Sequence, residues 1–440
     1  MEFLNLSRSC DRFSKFWQEA NYNFVYLNKI DRTEWDNLYR KLILEVQETE
    51  NDYEYYRLLQ RFCSFLKDGH TNVYFPRNIS ENISSTEFGE FNIQLSNIEG
   101  KAIVTGVNKG KKEEIPIGSE IVKVNGLKTR VYLTEKVIPN ISSSTEHILE
   151  DWGTQYLLEG YMGTRYEIEF LLLDQKVKNV TLTIEKSEEE IFPTKFRRDP
   201  FELKWIDKDI AYIALNTFST WETSGAFYEN STELQKAKKL IIDLRENGGG
   251  DTPIGLVIFQ SLTNDTLMYG SKSFSRKHIP TFKAWGRYLN ENAIQGSPDA
   301  KKNYFAFKDK LFYEFPYYPD TVSKEDQNLL KNQRIVVPTV ILIGHNIASA
   351  AEDFLIFADK QSHMTKIGEP TFGSTGQPYS FELPGGGSCR ICTKEDTYPD
   401  GREFVGIGIQ PDILVSKSLE DYLTDKDPVM EKAIEFLKSK

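Results

Sequence analysis

The chain has 440 residues, 39% of them hydrophobic and 27% charged, with a net charge of −11. That is the make-up of an ordinary globular protein with length for two or three domains. The negative balance argues against a nucleic-acid partner, and no apolar run approaches the roughly 20 residues that a membrane helix needs. The amino terminus, MEFLNLSRSCDRF, lacks a basic stretch followed by an apolar one, so no secretory leader is read there. A chain trimmed of its leader would read the same way.

Residues 1–88 read as a helical region. In YEYYRLLQRFCSFL, the residues Tyr55, Leu58, Leu59, Phe62 and Leu66 form an apolar stripe at helical spacing. KDGHTNVYFP then ends the helix: Gly69 suits the left-handed position after a helix, and TNVYF begins an extended stretch. His70 is thereby placed at a helix-to-strand corner. Residues 89–190 change to short strands, with a hairpin turn predicted at Asn125-Gly126 and one helical piece, STEHILEDWGTQYLLEG. From 191 to 440 the pattern is α/β. DIAYIALNTF, AKKLIIDLREN and IVVPTVILIG are continuous apolar runs, as expected for strands buried on both faces. Residues 265–334 interrupt this region with many aromatics, either as a lid or as an ordinary packed excursion. The cysteines are Cys10, Cys63, Cys389 and Cys392. CRIC lies in a segment that reads as a hairpin around YPDG. On one strand its two thiols point to opposite faces, so neither redox nor metal work is expected. Five histidines with no H-E-x-x-H or His/Cys cluster predict no metal.

The stretch IGHNIASAAEDFLIF carries the main question. Ser349 and Glu352 form an S-x-x-E capping box before an apolar helix. The same place, after a strand and at a helix start, suits an exposed nucleophile. A nucleophile needs an oxyanion site, and LIIDLRENGGG offers one: Gly248 to Gly250, three residues without Cβ, let backbone N–H groups approach a ligand. The run is also compatible with a flexible turn, and no G-K-[ST] follows to make it a phosphate loop. A base is also needed. His345 is close in sequence but sits on a loop, His147 lies in a helical stretch, and His278 and His363 have no catalytic context. His70 is held by structure on both sides.

FLKDGHTNVYFP, IIDLRENGGG, IASAAEDF, KIGEPTFGSTGQP and GIGIQPDI, in this order, resemble the motif series of the tail-specific (carboxy-terminal processing) serine peptidases. The module containing IPIGSEIVKVNG resembles their PDZ-like domain. The resemblance runs from about residue 15 to the end. It implies an α/β core of the crotonase/ClpP-like type, an N-terminal helical region carrying His70, and a PDZ-like domain. In the processing-peptidase branch the base is a lysine within the segment that here reads TFGSTGQP. Ser374 stands at that place and the segment holds no lysine. The tricorn-like branch uses a histidine and a late glutamate instead. By that resemblance His70 is the general base for Ser349, and Ala350 N–H with an amide of Gly249 or Gly250 forms the oxyanion site. Glu403 is the late glutamate, unless it is a solvated hairpin residue. Gly69 stands where tricorn has a polar residue.

The expectation is a serine endopeptidase that needs no cofactor and cleaves a polypeptide partner through an acyl-enzyme. The resemblance suggests that it captures the substrate by its C-terminal tail. The rival is a non-catalytic peptide- or apolar-ligand-binding protein on the same scaffold, and acyl transfer on small thioesters is a weaker third. Relatives are often exported, which would apply here if a leader had been removed; otherwise the cytoplasm is expected. Oligomeric state is not legible.

Overall fold

The computed structural model describes residues 2–193, 198–384 and 386–440. The chain divides into two compact units, each gathered from distant segments: Met1–Arg77 with Ser271–Tyr318 and Ser374–Val405, and Asn78–Gly270 with Pro319–Gly373 and Gly406–Lys440. Among the described residues no helix is long and apolar enough to cross a membrane.

The first unit is built on three helices, Glu2–Asn23, Arg32–Glu45 and Asp52–Ser64. Asp31 caps the second by accepting from Thr33 and Glu34 N–H, and Asn51 caps the third by accepting from Glu54 N–H. Of the predicted stripe, Tyr55, Leu59, Phe62 and Leu66 (just past the helix end) are at most 2% exposed, while Leu58 is partly buried. Phe62 stacks on Trp35 with centroids 4.0 Å apart and on Phe13 at 4.8 Å. Each fully buried aromatic of this kind contributes roughly 1.5–3 kcal/mol.

Two details of the sequence reading are corrected here. The left-handed residue after the third helix is Lys67, at φ 50°, rather than Gly69; the turn bonds Leu66 N–H to Cys63 and Lys67 N–H to Ser64 close it two residues early. The strand Ser388–Cys392 does not pair across YPDG. It pairs antiparallel with Pro378–Glu382 on one side and with Asn72–Tyr74 on the other. Cys389 and Cys392 are both buried and unbridged. Of the aromatic excursion at 265–334, the part Ser271–Tyr318 belongs to this unit. Lys272–Arg276 forms a sheet with Phe312–Glu314 and Glu395–Thr397, and the helices Pro280–Gly286 and Pro298–Phe307 pack on each other.

Among the described residues, the second unit holds two large sheets beside two two-stranded ones. The first is antiparallel and includes Phe91–Ile98, Lys101–Asn108, Glu120–Val124, Arg165–Leu171 and Val177–Thr183. Asn125 and Gly126 both take positive φ, 49° and 78°, in the two-residue turn that joins Val124 to Leu127. The helix Glu146–Gln155 packs against the strand Phe91–Ile98.

The second sheet is central. Its strands are β1 (Phe201–Trp205), β2 (Ile210–Leu215), β3 (Lys239–Asp243), β4 (Thr339–Ile343), β5 (Met364–Gly368) and β6 (Ile413–Leu414), in sheet order as in sequence order. β1 and β2 are antiparallel and every later pair is parallel. All of β2 and β4 is buried, matching their unbroken apolar sequences. The helices Thr252–Gln260 and Ala350–Ala358 pack together, and each follows a loop leaving the C-terminal end of a strand, β3 or β4. In open α/β sheets that is where ligands bind.

Candidate active site

Ser349 stands at the start of the helix Ala350–Ala358 with φ 56° and ψ −125°. An ordinary N-cap has extended backbone, so a cap alone does not require this strained geometry, which non-glycine residues rarely adopt. Glu352, fully buried, fixes the turn from inside. Its carboxylate accepts the Ser349 N–H at 3.2 Å and the Gly373 N–H at 2.9 Å, and takes the Thr371 hydroxyl as well. The Glu352 half of the S-x-x-E motif thus acts on the backbone around Ser349, which is itself half-buried.

The glycine run lies against this turn. A Cβ on Gly249 would stand 2.6 Å from the Ala348 carbonyl oxygen and 2.9 Å from the Ser349 Cβ, and Gly249 has φ +98°. Gly250, at φ +137°, passes as closely to the backbone of Phe218. Only glycine fits either position. The structure thus brings Ser349, Ala350 and Gly249 together. It also separates the two glycine amides: Gly249 N–H donates to the Asn247 side chain at 3.0 Å, and Asn247 in turn donates to the Leu215 carbonyl. Ala350, as the first helical residue, has an N–H with no acceptor inside its own helix.

A partly buried ion cluster lies at the strand end that precedes this loop. Arg245 donates to both carboxylate oxygens of Asp243 (3.0 and 2.8 Å) and to both of Asp427 (2.9 and 2.8 Å). Burial opposes the charge on Arg245, but the two carboxylates override it and raise the guanidinium above its ordinary range. Tyr212 donates to Asp243 at 2.9 Å.

His70, in the other unit, is half-buried, with Nδ1 2.6 Å from the hydroxyl oxygen of the fully buried Ser374. Burial pulls its pKa down to about 4, with Arg390 and Lys394 adding to the effect. The imidazole is neutral at physiological pH and able to accept a proton. Two residues earlier, Asp68 is 1% exposed and takes the Thr71 hydroxyl at 2.5 Å. Burial pushes its carboxyl up to about 6 despite that bond. Glu403 is exposed and its carboxylate bonds to Lys29 Nζ at 3.2 Å, whereas the side-chain partner of His70 is Ser374. Ser374 is the residue that sequence reasoning singled out as a departure without assigning it a role.

Two histidines of the second unit, His345 and His147, have other partners. His345 Nδ1 lies 2.5 Å from the Asp151 carboxylate, which holds the imidazole above its ordinary pKa against the opposing effect of burial. His147 Nε2 donates to the Thr371 carbonyl at 2.9 Å.

Residues 209–415 match the profile of Peptidase family S41. Over 352 residues the chain is 25% identical to the "Carboxy-terminal processing protease CtpA" of Bacillus subtilis (strain 168); the match covers 79% of this chain and 59% of that protein. The chain therefore spans less than two thirds of that relative's length. Its fold is similar to that of mature CPAF complexed with lactacystin, with a TM-score of 0.67 at 13% identity over 99% of this chain and 100% of the other. A second structure of mature CPAF gives a TM-score of 0.65 at 13% identity, covering 95% and 94%. At these identities the likeness is one of fold alone. The segment that carries the glycine run and Ser349, residues 209–415, is thus the part of the chain that is similar to peptidase family S41.

Proposed function

We propose that the chain is a serine peptidase that cleaves polypeptides through an acyl-enzyme on Ser349, with His70 as general base. The observation that carries this reading is the strained turn of Ser349 with Gly249 pressed against it. Strain of this kind persists only where surrounding structure enforces it, and it collects at functional sites. The pairing of Ser349 with His70 rests on the motif resemblance and on an imidazole that stays neutral at physiological pH.

In this reading Ser374 accepts the Nδ1–H of His70, which leaves the Nε2 lone pair as the base. Ser374 therefore takes the orienting role that the resemblance gave to Glu403, whose carboxylate serves Lys29. His70 removes the Ser349 proton as the hydroxyl oxygen adds to the substrate carbonyl. It returns that proton to the leaving amine when the C–N bond breaks. Water then hydrolyses the ester, with His70 again acting as base. The developing oxyanion is held by Ala350 N–H at the positive end of its helix. Gly250 N–H is the second donor, because Gly249 N–H is bonded to Asn247.

The PDZ-like reading of residues 89–190 belongs to the same proposal. Among the described strands, the Gln94–Ile98 half of Phe91–Ile98 pairs on one side only, with Lys101–Asn108. The helix Glu146–Gln155 packs beside that strand. An extended peptide could add there as a further strand, its end held by its carboxylate in tail-specific capture.

The test is labelling with a fluorophosphonate probe and mass spectrometry of the adduct. Modification of Ser349 that disappears in His70→Ala supports the reading. A folded protein that gives no adduct between pH 5 and 9 supports the non-catalytic binding protein instead.

A further inference from the structure

A cavity of about 300 Å³ lies wholly within the first unit, remote in sequence from every residue of the proposed mechanism. It is lined by the end of the first helix (Asn21), the start of the second (Arg32), the strand end at Arg276, and His278, Lys283 and Asp309.

Its chemistry is lopsided. Arg276 has a side chain only 6% exposed, and it closes the first helix by donating to the Asn21 carbonyl at 2.8 Å and the Phe24 carbonyl at 3.2 Å. Asp309 is the one carboxylate among the lining residues. It is shared among Lys283 at 2.7 Å, Arg32 at 3.9 Å and Arg276 at 4.0 Å. Three cations thus divide one anion, and two of the three distances are too long for hydrogen bonds. The shortage appears in the donors as well. Among the described residues, Arg32 Nε, Arg32 Nη1 and Asn21 Nδ2 are buried with no acceptor. Buried polar groups are nearly always satisfied, and each one left unpaired costs about 1–3 kcal/mol. All three orphans are donors, so what is missing is an acceptor. Arg276 and His278 are both pulled below their ordinary pKa values by burial, and each has the other cations of the cluster beside it.

We infer that this cavity is a binding site for a compact oxyanion, a carboxylate or phosphate group, held by Arg32 and Lys283 above the buried Arg276. The Arg32 side chain is 39% exposed. A small rotation of its guanidinium turns the Nε and Nη1 hydrogens towards such a ligand in the forked geometry that carboxylates and phosphates accept. Arg276 supplies fixed positive charge and stays on its helix carbonyls. Asp309 competes with the ligand and sets its affinity.

The experiment is calorimetric titration of the whole chain with inorganic phosphate, and separately with N-acetylglycine and its uncharged amide, at low and moderate salt. Saturable one-site binding of phosphate or of the free carboxylate is expected, with none to the amide and weakening as salt rises. Which of the two anions binds more tightly identifies the source. Lys283→Gln and Arg32→Gln should each weaken binding tenfold or more, and Asp309→Asn should tighten it several-fold. The Lys283 side chain is 52% exposed, so that variant tests the site even if Arg32→Gln fails to fold. No saturable binding by the wild-type chain, or equal affinity in Lys283→Gln and the wild type, overturns the inference.

Discussion

The hydroxyl oxygen of Ser374, a fully buried residue, lies 2.6 Å from Nδ1 of the half-buried His70. In the proposed mechanism Nδ1 carries the proton and donates it to Ser374. With Nδ1 protonated, the basic lone pair must be on Nε2. Ser374→Ala should lower kcat by about 10–100-fold, the equivalent of one lost hydrogen bond to a group that becomes charged. KM should change little and the fold should be retained. Steady-state kinetics with a peptide substrate decides the point: a KM effect alone would make Ser374 a packing residue.

Because burial holds His70 down at about 4, the base stays unprotonated far into acid. The acid limb of kcat/KM should fall near pH 4–5 rather than near the ordinary histidine value of about 6.5. A pH–rate profile on Ser349-dependent hydrolysis is the measurement. A limb centred near 6.5 would mean that a different group is the base, or that the site opens to water before it reacts.

His70 and Asp68 should pull stability in opposite directions over one pH window. A histidine lowered from about 6.5 to about 4 binds its proton more weakly in the native state, so its contribution is lost as pH falls through that range. A carboxyl raised from about 3.9 to about 6 binds its proton more tightly in the native state, so its contribution is lost as pH rises. The two slopes oppose each other between pH 4 and 6. Asp68→Asn removes one of them, and urea unfolding at pH 4, 5, 6 and 7 should then show a steeper loss towards acid than in the wild type. Equal slopes would contradict the pair.

Gly249→Ala is expected to cost both stability and activity. The new methyl would meet the Ala348 carbonyl at 2.6 Å and the Ser349 Cβ at 2.9 Å, on a backbone at φ +98°. Strain of this order is about 1–3 kcal/mol, visible as a lower Tm. Any relief would have to displace Ser349, so fluorophosphonate labelling should slow in the fraction that remains folded.

Arg245→Met should be among the most destabilising changes in the chain, at about 3–5 kcal/mol, because it strands the Asp243 carboxylate, 3% exposed, without its counter-charge. Arg245→Lys should recover only part of the loss, since an ammonium cannot engage two carboxylates bidentately. Chemical unfolding of the two variants beside the wild type tests this. A lysine variant as stable as the wild type would show that charge alone, without the fork, is enough.

What the sequence made legible follows from how local each signal is. The buried strands β2, β3 and β4 were readable because burial on both faces removes the polar alternation that other strands carry. Asn125-Gly126 was readable because its turn needs two residues with positive φ and supplies them. Gly249 was marked by its lack of a side chain, but the reason for that lack, the approach of Ala348 and Ser349, joins residues about a hundred positions apart. Lys67 could not be foreseen as the left-handed residue: a glycine two positions on was the better local candidate, and the last turn of the helix decided otherwise. Ser374 was noticed only for what it was not, because a lone serine carries no pattern. Its bond to His70 joins positions 304 apart in the chain, a distance over which spacing says nothing. The pairing of Ser388–Cys392 was misread for a related reason, since a good turn sequence is weaker than two neighbouring strands of the right register.

The clamp between Arg245 and Asp427 bears on the order in which the molecule is made. The arginine that steadies the strand end before the glycine run has to wait for a carboxylate encoded 182 residues later, on the residue that caps the last helix, Pro428–Lys438. A nascent chain therefore carries Arg245 and its Asp243 partner well before the second carboxylate that binds the same guanidinium exists. A fragment ending short of Asp427 has every residue of the proposed chemistry and lacks this second carboxylate on Arg245.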